Sequence, residues 1–371
     1  MNFPYLPQPP DYQFNWQNLH DEFEWVRALQ GCQQDAVHHA EGDVWTHTKM
    51  VCEAVTANKN WRVLSEQDRS LVFIASLMHD IAKPVCTRIE DDGRITSRGH
   101  SKRGEIMARE ILWRMEVPMM IREQIVNLIR YHQIPFFLID NQNAQRKLFE
   151  VSQTARCDLL AQVTEADARG RFCADQQRLL DNIALFTNFA EEQNCPSTPR
   201  KFLSEHSRFL YFQKADRDPD YLAFDDTGSE VIMMSGLPGA GKDHWIKTHA
   251  PDWPVISLDA LRVVMKIKPT ANQGSVVVKA REMAREYLRR KQNFIWNATN
   301  ISRQMREHSL SLCAAYNAQI RIVYVETSAE KLFEQNSSRE ASVPNSVINK
   351  LISRWETPDL TEAHEVTFIH Q

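Results

Sequence analysis

The chain changes its hydrophobic period once, near residue 230. Up to about Tyr211 the apolar residues recur at helical spacing. Leu71, Ile74, Ala75 and Met78 form one stripe of a helix that Ser65 can cap and that runs to Ala82, with Pro84 just beyond. The same spacing predicts helices over 101–115, 121–132, 144–167 and 175–193, and strand patterns are rare there. Residues 1–18, rich in Pro, Gln and aromatics, read as an extended arm laid over the helices. Turn formers and charge then gather into a linker over 216–229. Beyond Glu230 short apolar runs take over: Val231–Met234, Val255–Ser257, Phe294–Trp296, Ile320–Val325 and Val366–Ile369. Helical stretches lie between most of them, which predicts a mostly parallel sheet with helices on both faces. The expectation is two domains, an all-α one over 1–215 and an α/β one over 230–371.

Composition changes this picture little. At 371 residues each of two or three domains can bury a core, and 43% hydrophobic with 25% charged residues is ordinary for a globular chain. The net charge of −4 excludes a global polycation, so nucleic acid would be held by local basic patches. Seven cysteines, at 32, 52, 86, 157, 173, 195 and 313, include no C-x-x-C pair. Scattered thiols point to a reducing cytoplasm and away from a cysteine zinc site. No apolar run reaches the ~18 residues of a membrane span, and the first residues lack a charged-then-apolar pattern. A cytoplasmic protein without membrane contact is expected, and the oligomeric state is left open.

Candidate chemistry starts where the period switches. Val231–Met234 runs into Gly236-Leu237-Pro238-Gly239-Ala240-Gly241-Lys242, a G-x-x-x-x-G-K phosphate loop. Glycines let backbone N–H groups curl round phosphate oxygens. The next helix turns its positive end toward them, and Lys242 reaches the outer phosphates. Asp243 stands where Ser or Thr is usual; it binds Mg²⁺, orients its waters or caps the helix, and His244 is a further candidate there. Strand, loop and helix in this order predict binding of ATP or another NTP with Mg²⁺, at the carboxyl ends of the strands. After the next strand, Asp259 and Arg262 lie one helical turn apart. An Asp there accepts a proton from an attacking hydroxyl, and the Arg grips a phosphate of the acceptor. The plainer roles are a helix cap for Asp259 and an ion pair for Arg262. Asn297-Ala-Thr-Asn300 follows another strand, with Arg303 and Arg306 beyond. Arg339 is the candidate to close over the phosphates, a surface helix position being the alternative.

The helical half carries imidazoles and carboxylates in a definite order: His47, His79-Asp80, His100, His132, Asp167. Such ligands suit Mn, Fe, Co, Ni or Zn, and two close ions clamp a phosphate while one activates water. One His on an apolar helix is more often a core residue; the ordered set is the signal. Arg98, Lys102 and Arg103 beside His100 are candidates to hold phosphate, with Arg103 preferred over Lys102, which suits a solvated helix start. His38 and Lys83 read equally well as surface. The order H…HD…H…H…D resembles the HD superfamily of metal-dependent phosphohydrolases. His39–Thr48, HAEGDVWTHT, also resembles the HD domains fused to tRNA nucleotidyltransferases. The resemblance implies one metal site of His47, His79, Asp80 and Asp167. It implies a second of His100 and His132, with Asp80 bridging and central to catalysis. His39 would support a ligand or be structural.

From about Val231 onward GLPGAGKD, SLDALR, NATN and Arg339 before Val343-Pro344 resemble the 5′-hydroxyl polynucleotide kinases of the P-loop phosphotransferase group. By that match Lys242 handles donor phosphates, Asp259 is the general base, Arg262 holds the acceptor's terminal phosphate and Arg339 is the lid arginine. Asp243 departs from the pattern, as does Gln335, where a second lid arginine would fall. An HD domain followed by such a kinase resembles the bacterial HD–polynucleotide kinase end-healing enzymes. That implies removal of 2′,3′-cyclic phosphate or 3′-phosphate, and NTP-dependent phosphorylation of 5′-hydroxyl ends, on RNA or DNA, with a nucleic-acid ligase acting afterwards. Two other classes stay open. One is an HD nucleotidase fused to a small-molecule kinase. The other is a binding module whose helical half only docks RNA, against which the complete ligand set argues.

Overall fold

A computed structural model of the chain describes residues 5–268, 271–338 and 342–371. It divides into two compact units, Met1–Lys201 and Phe202–Gln371. The first is built from helices. Val44–Ala57, Glu66–Met78, Met119–Tyr131 and Cys157–Arg169 pack round a shared core, with Leu71, Phe73, Ile74, Ile125, Ile129 and Leu160 fully buried. Ser65 caps its helix as expected, accepting from the Asp68 N–H at 3.1 Å. The arm lies on this unit, with the Phe14 ring 5.2 Å from Phe73 and Tyr12 5.3 Å from Trp61. Trp16 already starts a helix, Trp16–Glu22. Beneath the surface, Arg109 is enclosed by Glu105 and Glu123 at 2.8 and 3.0 Å, a buried ion cluster tying two helices together.

Two expectations about this half are corrected. The helix from Ser65 ends at Met78 rather than Ala82, because the turns Ile81 N–H to Met78 and Lys83 N–H to Asp80 replace helical hydrogen bonds. The single helix over 144–167 is two, Ala144–Ser152 and Cys157–Arg169. Between them the Ser152 and Thr154 hydroxyls donate to the Phe149 and Val151 carbonyls, competing with the backbone. A short antiparallel pair, β1 (Arg88–Ile89) and β2 (Ile95–Thr96), turns at Asp92-Gly93, a dipeptide suited to it.

The second unit holds a sheet of five parallel strands: β3 (Ser229–Ser235), β4 (Val255–Ser257), β5 (Phe294–Asn297), β6 (Ala318–Glu326) and β7 (Glu365–His370). Their order is β4-β5-β3-β6-β7, so β3 is central and its residues from Val231 on are buried. All the pairings are parallel, and the carboxyl ends of all five strands therefore share one edge. The fold is that of a P-loop kinase. Helix Glu205–Gln213, expected with the N-terminal half, belongs to this unit. Phe209 lies in its core with Val231, Met233 and Ile320, and Arg208 donates to the carbonyl of Leu360 at 3.1 Å.

Candidate functional site

In the first unit the six residues expected to hold metal come together. His47 sits in the first turn of Val44–Ala57, which Asp43 caps by accepting from the Thr46 N–H at 2.8 Å. His79 and Asp80 follow Glu66–Met78, and His100 opens His100–Arg114 after Gly99. His132 closes Met119–Tyr131, and Asp167 lies in the last turn of Cys157–Arg169. All six are buried. His47 Nε2 is 3.3 Å from His79 Nε2 and 3.1 Å from Asp167 Oδ1. Asp80 Oδ2 is 3.1 Å from His79 Nε2, and its Oδ1 is 3.2 Å from His100 Nε2. His100 and His132 meet Nε2 to Nε2 at 3.3 Å.

The opposite ring nitrogens are all tied back. Nδ1 of His79, His100 and His132 donates to the carbonyls of Ser76, Ser97 and Ile129 at 2.7, 2.8 and 2.7 Å. His47 Nδ1 faces the Gly170 carbonyl at 3.1 Å and Glu41 Oε1 at 2.9 Å. A carbonyl can only accept, so the proton sits on Nδ1 and each Nε2 offers a lone pair inward. Lone pairs 3.3 Å apart repel unless a cation lies between them. Both Asp80 oxygens are buried without a hydrogen bond of sound geometry, although the Lys83 ammonium lies 2.7 Å from Oδ2. Two groups, His47/His79/Asp80 and Asp80/His100/His132, each bring their ligand atoms within 4.8 Å, with Asp80 common to both. Nitrogen and oxygen donors in this number fit divalent transition ions.

The electrostatics agree. Burial alone would raise the Asp80 carboxyl, but the His79 imidazole and the Lys83 ammonium hold it well below the usual carboxylate range. Burial pushes His132 down to about 3, helped by the imidazoles of His79 and His100. Asp167 is likewise held low against burial by Arg171, whose Nε donates to its Oδ1 at 2.9 Å. Lys83 is not the surface residue its sequence context allowed; it is buried, on the turn three residues after Asp80. Arg171 and Glu41 were not singled out, and their only sequence signal is proximity, Arg171 falling four residues after Asp167. A cleft of about 360 Å³ opens onto the centre, lined among others by Lys83, Arg98, His100, Arg171 and Arg178. Of the three phosphate candidates, Arg98 lines this cleft, while Arg103 is half-buried on the helix that His100 opens.

In the second unit β3 delivers the phosphate loop, Gly236 to Gly241, and Lys242 begins the helix Lys242–His249. Gly236 and Gly241 have φ of +144° and +96°. A Cβ at Gly236 would lie 2.3 Å from the Val325 carbonyl oxygen, so the loop requires glycine there. Leu237 and Ala240 are buried, while Pro238 and Gly239 continue the turn. Lys242 folds back, its Nζ donating to the Gly236 and Leu237 carbonyls at 2.9 Å each. Asp243 is exposed on the first helical turn and accepts from Asn297 Nδ2 at 2.7 Å; His244 beside it is exposed. Asn300 holds the end of β3, donating to the Met234 carbonyl at 2.8 Å. Asn297 and Asn300 therefore brace the helix and the strand that flank the loop. Arg303 and Arg306 serve the fold instead, through Asp359 at 2.8 Å and Glu362 at 2.7 Å.

Asp259 does not cap its helix; Ser257 does, accepting from the Ala260 N–H at 3.3 Å. Asp259 is exposed and ion-paired with Arg262, whose Nε also donates to Gln273 at 2.6 Å. Arg339 lies outside the described residues. Just before it, helix Ala329–Ser337 packs on the loop, since a Cβ at Gly239 would meet the Leu332 carbonyl oxygen at 3.1 Å.

Comparison with known proteins agrees with the two-part organisation. Residues 43–168 match the HD domain family model. Residues 231–358 match the family model of an AAA domain. A stretch of 108 residues is 35% identical to the multifunctional CCA protein of Halorhodospira halophila, covering 29% of this chain and 23% of that protein. The chain thus spans less than a quarter of that relative's length. Among solved structures, a kinase-like protein of Chloroflexus aurantiacus is 17% identical over 39% of this chain and 89% of its own, with a TM-score of 0.33. A sugar kinase of a Janibacter species is 15% identical over 38% and 85%, at 0.30. Chaetomium thermophilum Kti12, in complex with ADP-AlF3, is 17% identical over 38% and 88%, at 0.29. The chain joins an HD domain to a P-loop kinase-type domain. Among the described residues, no helix is long and apolar enough to cross a membrane.

Proposed function

We propose that this chain is a bifunctional nucleic-acid end-healing enzyme. Its HD unit removes 2′,3′-cyclic phosphate and 3′-phosphate ends, and its kinase unit transfers the γ-phosphate of an NTP to 5′-hydroxyl ends of RNA or DNA. The observation that carries the reading is the doubly triadic centre around Asp80, in the same chain as a phosphate loop followed by Asp259 and Arg262. His47, His79, Asp80 and Asp167 would hold one ion and Asp80, His100 and His132 the other. Divalent ions there supply a nucleophile from water and charge at the phosphorus. The chain's own part is to fix the imidazoles by their Nδ1 contacts and to hold substrate phosphate in the cleft by Arg98 and Arg178.

In the kinase unit, backbone N–H groups of the loop and Lys242 bind the donor phosphates, with Mg²⁺ supplying charge neutralisation beside Asp243. Asp259 accepts the proton of the attacking 5′-hydroxyl. Arg262 binds the acceptor's adjacent phosphate, which separates it from Asp259 and frees that carboxylate to act as base. Arg339 fills the lid role in this reading. A nucleic-acid ligase needs the 3′-hydroxyl and 5′-phosphate so produced and is the consumer of the product.

An oligonucleotide bearing a 5′-hydroxyl and a 2′,3′-cyclic phosphate, incubated with NTP and a panel of divalent ions, tests both halves. Both ends should be converted. Asp80→Ala should abolish conversion of the 3′ end alone, and Asp259→Ala phosphorylation of the 5′ end alone. Transfer to a nucleoside or sugar but to no oligonucleotide would replace this reading with a nucleotidase fused to a small-molecule kinase.

A further inference from the structure

One carboxylate behind the metal centre differs from everything else that supports it. Glu41 has a side chain with no exposed surface. Its Oε1 lies 2.8 Å from His39 Nδ1 and 2.9 Å from His47 Nδ1. Its Oε2 accepts the Phe172 N–H at 2.9 Å, and the neighbouring Ala40 N–H donates to the Phe172 carbonyl at 3.0 Å. The strand of chain so clipped is 170–172. Its Gly170 carbonyl receives His47, and its Arg171 grips Asp167. Glu41 therefore addresses two of the ligand residues at one end of the centre, His47 directly and Asp167 through Phe172 and Arg171. At the other end His100 and His132 lean only on neutral carbonyls three residues earlier in the chain.

We propose that Glu41 is the positioning residue for His47 and makes the His47–Asp167 end the tighter of the two ion positions. A carboxylate behind an imidazole fixes its tautomer and ring orientation and increases the electron density at the nitrogen facing the ion, which a backbone carbonyl does more weakly. The asymmetry follows from the chain: Glu41 precedes Asp43, whose cap starts the helix bearing His47, so this support is built only at that end. The inference rests on the metal centre proposed above.

Calorimetric titration of Mn²⁺ into the full-length protein, stripped by chelation, tests it. The unaltered protein should bind in two events. Glu41→Gln should weaken the tighter event about 10–100-fold and leave the weaker one within about twofold. His39→Ala, which removes the other imidazole on Glu41 but leaves the Glu41–His47 contact, should leave both events in place. An unchanged tighter event in Glu41→Gln overturns the proposal. So does an equal loss in His39→Ala, which would make Glu41 a packing clip. Failure of the unaltered protein to bind any divalent ion would instead remove the metal centre itself. If Glu41→Gln does not fold, imidazole nitrogen NMR on the unaltered metal-free protein decides. His47 must carry a proton on Nδ1, with the strongest hydrogen-bond shift of the four imidazoles; an Nδ1 without a proton overturns the assignment.

Discussion

Single residues set what each centre tolerates. Arg171 neutralises a buried Asp167 from a position that is itself 12% exposed. Arg171→Ala leaves that carboxylate uncompensated, and removal of one partner of a buried pair costs about 3–5 kcal/mol. Urea denaturation should register this loss in metal-free protein, and Mn²⁺ should restore much of it, since an ion supplies the missing charge. An unchanged midpoint would mean that water already reaches Asp167. In the second unit His364 Nδ1 accepts the Ile320 N–H at 3.0 Å, and burial pushes its imidazole from 6.5 down to about 4. The folded state then binds fewer protons than the unfolded one between those values. Stability from this residue is full above pH 6.5 and is lost as pH falls toward 4, by up to about 3 kcal/mol. His364→Gln should flatten the pH dependence of unfolding in that window. The candidate metal ligands were legible in sequence as an ordered set of imidazoles and carboxylates, with His47 and Asp167 in terminal helical turns, His79, Asp80 and His132 just past helix ends and His100 at a helix start. Lys83, Arg171 and Glu41 were not, because a charged residue in a turn looks the same whether it faces solvent or a buried carboxylate.

Helices and strands carry these residues by close approach at a few points. Gly170 follows helix Cys157–Arg169 where it crosses Val44–Ala57, and a Cβ there would lie 2.5 Å from Val51 Cγ2 and 2.8 Å from the Val51 nitrogen. Gly170→Ala must push the two helices apart, at about 1–3 kcal/mol for an overpacked contact. It should also weaken Mn²⁺ binding, because the Gly170 carbonyl holds His47 and Asp167 rides on the displaced helix. Retained affinity with lowered stability would show that the ligands re-form after the shift. The three inner strands, β5, β3 and β6, were read correctly from short apolar runs because a central parallel strand is buried on both faces. The helix over 144–167 was misread because periodicity continues through Gln153–Arg156 while the hydroxyls of Ser152 and Thr154 divert the carbonyls. Pattern records which face is apolar; it does not record where a side chain outcompetes the ladder.

At the scale of the molecule, the division at Lys201 rather than near residue 215 has a direct consequence for how the units can be separated. A fragment of residues 202–371 keeps Phe209 in the core beside Val231 and Ile320. A fragment of residues 230–371 leaves that core open and removes the partner of His364, whose Nε2 lies 3.0 Å from His206 Nδ1. The longer fragment should express in soluble form and bind ATP, and the shorter should aggregate or lose cooperative unfolding. Equal behaviour would place helix Glu205–Gln213 outside the folding unit. Sequence pattern missed this because an amphipathic helix does not say which core its apolar face enters.

The reach of the metal centre along the chain also fixes when it can exist. His47 and Asp167 touch across 120 residues of sequence. On a ribosome, the first four ligand helices emerge with Asp80 facing imidazoles and the Lys83 ammonium, and the last carboxylate and its arginine arrive only when residue 171 clears the exit tunnel. An ion captured before that point meets an incomplete set of donors and leaves readily. Selection among ions would therefore fall to the assembled helical unit rather than to any earlier part of it.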